Sequence, residues 1–376
     1  MQRTLRFKLS PTPEQAAILL DTLQQHTDCF NAVAAYGWAR GEKNGVTLHK
    51  ATYYPLREQY PTLPAQLVIA ARMRATEAVK SALTRQKRGK KVGQPRSHLT
   101  PIRYDQRSYT PHLNEGSVSL ATVAGRQELA VVVYPYAADI LARATGYDSA
   151  DLIYRRGQFW IHVVLTLPDP EITPNGHAVG VDFGMTRPAV TSTNRFFGKR
   201  SWKDMERRYF RLKRALQSKG TPSAQRHLKK VARKVTRFRS NCDHVVSRQI
   251  VQSVEPGTTI VVENLAEIRG RTKQNGRIQR RAMHQWSFRR LRELLVYKAE
   301  ARGCRVVGID PRHTSQRCSH CGHTHRSNRR SQSRFVCRSC GFELNADLNG
   351  ARNIADKYLA GDGRPVASGP PSTGLS

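Results

Sequence analysis

Acidic residues are scarce in this chain of 376 residues, which has 28 Asp and Glu against 63 Lys and Arg and a net charge of +35. Such an excess of positive charge favours a polyanion, above all a nucleic acid, as the partner. Long apolar runs are also lacking, since none approaches the ~20 residues of a membrane span. The first residues lack the apolar segment of a secretory signal. We therefore expect no membrane association and a cytoplasmic protein.

Cysteine is a second scarce residue type, with seven in the chain. Four of them form two Cys-x-x-Cys-Gly motifs separated by 15 residues, a spacing typical of a four-cysteine zinc ribbon. A site closed by four thiolates is structural, because a catalytic zinc keeps one position open. Alternative ligands are His320, His323 and His325, and a disulfide is a further alternative that suits a reducing compartment less well. The predicted zinc ligands are Cys318, Cys321, Cys337 and Cys340.

Three of the few acidic residues stand at the ends of predicted secondary structure elements. Asp182 ends the strand pattern VGVD, and Glu263 ends the strand pattern IVVE. Asp347 begins a helical pattern that Asn345 caps. Carboxylates at two strand ends and one helix start can converge on one edge of a sheet. Oxygen ligands of this kind hold Mg²⁺ or Mn²⁺, and a pair of such ions promotes phosphodiester hydrolysis.

A Pro/Gly-rich linker at 168–176 divides the chain into two halves. The first half starts with an alternating strand at Arg3–Leu9, continues with a capping box at Thr12–Gln15 that opens a helical insertion, and ends in β-rich segments. The fold class is therefore a mixture of α/β and β structure in several domains. The predicted ranges are 1–10 with 99–170 for a β-barrel, 11–98 for the helical insertion, 176–311 with 342–360 for an α/β core, 312–341 for the zinc ribbon and 361–376 for a disordered tail.

Two basic segments lie between Asp182 and the zinc ribbon, one on each side of Glu263. Residues 199–239 contain 16 Lys and Arg but only two acids, and their apolar positions keep helical spacing on both sides of Gly220-Thr221-Pro222. The pattern predicts a basic helical hairpin. Because a solvated charged face normally mixes both signs, the single sign favours contact with RNA or a nucleic-acid duplex. A basic loop at 269–281 follows, and then a helix from Trp286 to Arg302.

The motifs VGVDFG, IVVENL, GIDPRHTSQRCSHCG and CRSCGFELNADLNGARNIA resemble those of TnpB (OrfB) proteins. These are the RNA-guided nucleases of insertion sequences that are related to type V CRISPR effectors. The resemblance covers about 176–358, and the first half is similar only in layout. It implies a RuvC-like, RNase H-type core in which Asp182, Glu263 and Asp347 are the catalytic, Mg²⁺-binding triad, with Asp182 bridging two ions. It also implies that the first half forms a wedge barrel with a helical recognition lobe.

The activity that this resemblance implies is RNA-guided cleavage of DNA. A guide RNA derived from the transposon end would direct a monomeric ribonucleoprotein, containing Mg²⁺ (or Mn²⁺) and Zn²⁺, to target DNA beside a short motif. Arg334, just before the second cysteine motif, resembles a position from which an arginine reaches the scissile phosphate. Three alternatives stay open at this point. One is a DDE-type transposase-like protein that cuts DNA without RNA, and another is a nuclease-inactive, RNA-guided DNA-binding regulator. The third is a ribosome- or RNA-associated zinc-ribbon protein, which would leave the three acids without a role.

Overall fold

The computed structural model describes residues 1–184, 187–264 and 288–361 and the short strand Arg364–Pro365. The chain forms two compact units, Met1–Asp169 and a second unit that starts at Pro170, so the division falls inside the Pro/Gly-rich segment 168–176. None of the helices in these ranges is long and apolar enough to cross a membrane. The basic loop 269–281, the start of the helix predicted from Trp286 and most of the tail 361–376 lie outside the described residues.

The first unit is built on a seven-stranded sheet in which the N-terminal strand pairs with strands far along the chain. Strand β1 (Gln2–Leu9) runs antiparallel to β7 (Gln158–Thr166), and its last residues also pair with β5 (Gly125–Val132). The alternation of β1 is confirmed, because Leu5, Phe7 and Leu9 are all buried. The other strands are β2 (Ile102–Tyr104), β3 (Tyr109–His112), β4 (Ser117–Thr122) and β6 (Gly146–Arg155), in the sheet order β2-β6-β7-β1-β5-β4-β3.

Three helices are inserted between β1 and β2. They are α1 (Pro13–Arg40), α2 (Gly45–Gln59) and α3 (Ala65–Lys87). The predicted capping box is confirmed, since the Thr12 hydroxyl accepts the Gln15 N–H and the Gln15 side chain accepts the Thr12 N–H. Helix α2 is absent from the sequence prediction because Pro55 lies inside it, and a proline normally ends a helix. A short helix, α4 (Pro135–Leu141), follows β5.

The second unit has a six-stranded sheet. A meander of β8 (Ala178–Asp182), β9 (Ala189–Thr191) and β10 (Arg195–Phe197) is antiparallel, whereas β11 (Thr259–Glu263) and β12 (Arg305–Ile309) run parallel to β8. A two-stranded ribbon follows, with β13 (Arg334–Val336) paired to β14 (Glu343–Asn345). Strand β15 (Arg364–Pro365) pairs with β12, so this part of the predicted disordered tail is ordered by the edge of the sheet. The sheet order is β10-β9-β8-β11-β12-β15.

Helices cover both faces of this sheet. Helix α5 (Arg200–Lys219) and helix α6 (Pro222–Gln252) form the predicted basic hairpin, which turns at Gly220 (φ 65°) and restarts at Thr221, whose hydroxyl accepts the Ala224 N–H. Val246 and Ile250 of α6 and Leu295 of α7 (Phe288–Glu300) share a core with one face of β8. Helix α8 (Ala346–Leu359) contacts β8 from the other face. The predicted mixed α/β, multidomain class is therefore confirmed.

Candidate active site and metal centre

The three predicted carboxylates come together at one edge of the six-stranded sheet. Asp182 is the last residue of β8, and Glu263 is the last residue of β11, its parallel neighbour. Val181 lies opposite Val262 in the register, so the two acids follow side by side on strands about 4.8 Å apart. Asp347 is the second residue of α8 and only 5% exposed. This arrangement depends on chain segments that are separated by more than 80 residues in each case.

Two glycines allow α8 to lie close to β8. A Cβ atom on Gly180 would lie 2.1 Å from the carbonyl oxygen of Ala351, so any other residue would push the helix away from the strand. A Cβ atom on Gly350 would lie 3.0 Å from Asp182 Oδ2. The helix start is fixed in addition by Asn345, whose side chain accepts the Asp347 N–H at 3.0 Å. The predicted cap at Asn345 is thus confirmed, and it fixes the backbone of Asp347 at the start of the helix.

Repulsion and burial both disfavour negative charge on this cluster when no cation is bound. Burial, followed by the negative charges of Glu263 and Asp347, raises the pKa of Asp182 well above its ordinary range, and Arg329 opposes the shift. Burial also raises the pKa of Glu263, which the Thr314 hydroxyl and then Arg329 counteract. Burial raises the pKa of Asp347 as well, again against Arg329. A site of this kind gains stability from an added positive charge.

An arginine of the ribbon region already supplies one positive charge. Nη2 of Arg329 donates to Asp347 Oδ1 at 3.0 Å, and both side chains are largely buried. Arg334, the residue that the sequence suggested for a phosphate contact, is paired with an acid of the two-stranded ribbon. Its guanidinium forms a bidentate ion pair with Glu343 across the two-stranded ribbon, at 2.6 and 3.0 Å. Arg329 could not be singled out from the sequence, because nothing distinguishes it among the arginines of residues 326–334.

Buried amides fasten the loop before the ribbon onto α8. Asn349 Nδ2 donates to the carbonyl of Arg317 at 2.8 Å, and its oxygen accepts the Ser319 N–H at 3.0 Å. Asn353 Nδ2 donates to the carbonyls of Thr314 and Arg317 at 2.8 and 2.6 Å. Both asparagines are almost completely buried, and both were missed as site residues. The two asparagines are four residues apart in one helix and so share a face, and this spacing is the signal that could have found them.

The four predicted cysteine ligands converge in the ribbon. Their sulfur atoms all lie within 4.8 Å of one another, with Cys318 and Cys340 at 3.9 Å and Cys321 and Cys337 at 3.6 Å. Tetrahedral coordination at a zinc–sulfur distance of ~2.3 Å places sulfur atoms ~3.8 Å apart, whereas a disulfide needs ~2.05 Å. The cluster therefore fits a zinc ion and not a disulfide pair. Its glycines support the tight turns, because Gly322 and Gly341 have φ of 78° and 71°.

The alternative histidine ligands lie apart from this group. Among the described residues, the metal-ligand group in the ribbon consists of the four cysteines. The ring of His320 stacks on Phe342 with centroids 5.2 Å apart, and His323 and His325 stack on each other at 6.2 Å. His325 Nδ1 also accepts the Ser327 N–H. These packing contacts explain the positions of the three histidines without a role as metal ligands.

The site region matches known proteins in sequence. The family model described as the Cas12f1-like TNB domain matches residues 288–354, which include the cysteine cluster and Asp347. A Cas12f1 endodeoxyribonuclease of Sulfoacidibacillus thermotolerans is 43% identical over 34% of this chain and 30% of its own length. InsQ of Escherichia coli, a putative RNA-guided DNA endonuclease, is 34% identical over 53% of this chain and 54% of its own. A TnpB-like protein of Aquifex aeolicus is 32% identical over 30% and 39%.

The fold also has a known counterpart. The structure of a Cas12f1–sgRNA–target DNA complex aligns with a TM-score of 0.62 over 94% of this chain and 98% of that chain, at 14% identity. This likeness concerns the fold. The chain spans roughly a third to half of the length of the curated relatives named above. The resemblance to TnpB proteins and to type V effectors that the motifs predicted is confirmed.

Proposed function

We propose that this chain is an RNA-guided DNA endonuclease of a transposon, which binds a transposon-derived guide RNA and cuts target DNA beside a short motif. The observation that carries the proposal is the meeting of Asp182, Glu263 and Asp347 at one sheet edge. The relatives described as a putative RNA-guided DNA endonuclease and as a CRISPR-associated endodeoxyribonuclease support the same activity. The net charge of +35 supports a nucleic-acid partner.

The acidic cluster suits Mg²⁺ or Mn²⁺. All three side chains offer carboxylate oxygens, which are the ligands that these ions prefer. Burial is the main cause that raises the pKa values of all three, so a divalent cation would stabilise their charged forms. In this proposal Asp182, Glu263 and Asp347 would together hold the catalytic ions. Bound Mg²⁺ would lower the pKa of the attacking water and stabilise the leaving oxygen.

The chain's own residues orient these ligands. The hydroxyl of Thr314 donates to Glu263 and fixes one carboxylate oxygen, which leaves the other free for a ligand role. Gly350 lets the backbone of α8 lie close to Asp182, because it has no side chain that would press on the Asp182 carboxylate. Arg329 holds Asp347 from the ribbon side, and its guanidinium lies within reach of a phosphate that approaches that carboxylate. We therefore assign Arg329, and not Arg334, as the candidate phosphate contact.

The remaining elements supply support and binding surface. Zinc on the four cysteines would hold the ribbon, and with it Arg329, beside the acids. The basic hairpin of α5 and α6 exposes Arg226, Lys230, Arg233 and Arg237 at helical spacing on the side away from its buried seam. That ridge suits the backbone of a nucleic acid. In the first unit, the seven-stranded sheet and its helical insertion suit the wedge and recognition roles of a type V effector.

Co-purifying RNA provides the test. The protein is purified from a host that carries the flanking transposon end, the bound RNA is sequenced, and the complex is incubated with Mg²⁺ and a plasmid library of randomised flanks. The proposal expects one guide RNA and cuts beside one short motif. Cutting that survives RNase treatment would support the DDE-type transposase-like alternative. Guide-dependent binding with no cutting would support the nuclease-inactive regulator.

A further inference from the structure

An exposed aromatic side chain lies in the same row of the sheet as the first catalytic carboxylate. Asp182 of β8 is opposite Val190 of β9, and Val190 is opposite Phe196 of β10. Neighbouring strands are about 4.8 Å apart, so the Cα atoms of Asp182 and Phe196 are separated by roughly 10 Å. Residues in register across adjacent strands project from the same face. Phe196 therefore projects from the face that carries Asp182.

The face in question is the one on which α8 and the acids lie. Gly180 alternates with Asp182 and meets the backbone of Ala351, which identifies this as the α8 face. The next residue, Phe197, projects to the opposite face and is buried in the core beneath α6. The two adjacent phenylalanines thus have different roles. Phe197 packs the fold, whereas Phe196 is 40% exposed and contributes little to the core.

Strand β10 is open on its outer side. It is the last strand of the sheet order, and among the described residues it pairs with β9 alone. A groove runs along this edge, lined by Arg195 and Phe196 on the strand and by Gln249 and Gln252 on α6. Helix α6 packs on the face opposite Asp182, so the two amides border the edge strand from that side. Of these groove residues, Phe196 is the one in register with Asp182.

Positive charge lies between this edge and the acids. From Phe183 to Lys203 the chain contains five basic residues and no acidic one. Nη1 of Arg187 donates to the carbonyl of Gly198 just beyond β10, while the Arg187 backbone lies against Gly184 beside Asp347. Lys203, at the start of α5, is close enough to interact electrostatically with both Arg187 and Asp347. A phosphate backbone that enters the acidic cleft across this side would meet a complementary surface.

We propose that Phe196 is a stacking platform for an unpaired base of the DNA strand being cut, one to three nucleotides from the scissile phosphate. An exposed aromatic ring beside cations is the usual means of holding single-stranded nucleic acid without reading its sequence. A paired strand offers no free base face, so the platform selects an unpaired strand over a duplex. The separation of roughly 10 Å corresponds to about three stacked steps of ~3.4 Å, or fewer if the strand is extended. The proposal rests on the nuclease function proposed above and names the form of its substrate.

The test uses the guide-loaded protein and a target whose two strands are already unpaired around the cut. Phe196→Ala is expected to slow cutting of this substrate about 5- to 150-fold, the effect of losing one stacked base. Phe196→Trp should cut at close to the wild-type rate, because it keeps the stacking face, whereas Phe196→Leu should resemble Phe196→Ala. Tyr297→Ala on α7 removes an aromatic ring of similar exposure, 38%, outside the proposed binding surfaces and should leave the rate near that of wild type.

An abasic scan separates stacking from a structural role. Single abasic sites are placed at each of the four positions on either side of the cut. In the wild-type protein one position should slow cutting as much as Phe196→Ala does, and in Phe196→Ala the same abasic site should add nothing. Phe196→Leu cutting as fast as wild type, or additive losses at every position, would overturn the proposal. The nuclease function itself is checked separately with Asp182→Ala, whose unimpaired cutting would contradict that function whatever Phe196 does.

Discussion

The guanidinium of Arg329 lies 3.0 Å from a carboxylate oxygen of Asp347, and this contact joins the ribbon that contains the four cysteines to the acidic cluster. Arg329 is one of two cationic groups that oppose the raised pKa of Asp347, the other being Lys203. It also acts on Asp182 and Glu263. In the absence of a divalent cation, one ribbon side chain thus moderates the repulsion among all three acids. Folding of the ribbon and occupation of the acidic site are therefore expected to be energetically linked.

Replacing Arg329 with alanine should destabilise the protein most when no Mg²⁺ is present. A largely buried carboxylate loses its charged hydrogen-bond donor, which corresponds to about 1.5–3 kcal/mol. Thermal denaturation of the zinc-loaded protein without Mg²⁺ and in excess Mg²⁺ measures the effect, and Mg²⁺ should recover part of the loss. Arg334→Ala is the matched control, since its ion pair with Glu343 is exposed. Equal melting temperatures of the two variants without Mg²⁺ would contradict the special role of Arg329.

Asp182→Asn should stabilise the Mg²⁺-free protein at neutral pH. Burial and the two neighbouring acids raise the folded-state pKa of Asp182, so its contribution to stability is present at low pH and is lost as pH rises through that folded pKa. Without added Mg²⁺, the zinc-loaded variant should therefore melt above wild type near pH 7.5 and converge with it near pH 4. Added Mg²⁺ should raise the melting temperature of wild type more than that of the variant. A variant that melts lower than wild type at pH 7.5 without Mg²⁺ would speak against this.

Removal of the zinc ligands should affect the ribbon before the sheet. Cys337→Ser leaves three thiols of the cluster, and zinc measured by elemental analysis should fall from one equivalent to well below one. Cutting should be lost with it, because Arg329 is positioned by the ribbon. Far-ultraviolet circular dichroism should change little, since the six-stranded sheet lies outside the ribbon. Cys242→Ser, at a half-buried thiol of α6, is the control and should keep both the metal and the activity.

Asn353→Ala should lower stability although this residue touches neither metal site. Its amide donates to two carbonyls, of Thr314 and Arg317, and truncation leaves both buried acceptors without this donor. The expected cost is about 1–3 kcal/mol, measured by urea denaturation. Because Thr314 also positions Glu263, the apparent affinity for Mg²⁺ should weaken in the same variant. Unchanged stability and unchanged Mg²⁺ dependence would contradict the role of Asn353 in holding the Thr314 segment beside Glu263.

The candidate site was predicted in part from the sequence, and the reasons for the gaps are physical. Asp182 and Glu263 were found because a buried strand leaves a clear apolar run, and an acid at its end is conspicuous. Arg329 was missed because its partner depends on how the ribbon folds, which no local pattern records. Helix α2 was missed because Pro55 breaks the local helical pattern, while packing against α1 and α3 maintains the helix. Local chemistry predicted the carboxylates and thiols, and only tertiary packing decides which arginine meets them.

The most direct test of the central claim is cleavage of a guide-matched plasmid by guide-loaded protein in Mg²⁺, with each acid replaced by its amide in turn. Asp182→Asn, Glu263→Gln and Asp347→Asn should each slow cutting by about 100-fold or more, because a metal ligand that contributes several kcal/mol to the transition state is lost. Binding of guide RNA and of target DNA should stay close to wild type in all three. Cutting at the wild-type rate by any one of these variants would contradict the assignment of that residue and the three-acid site.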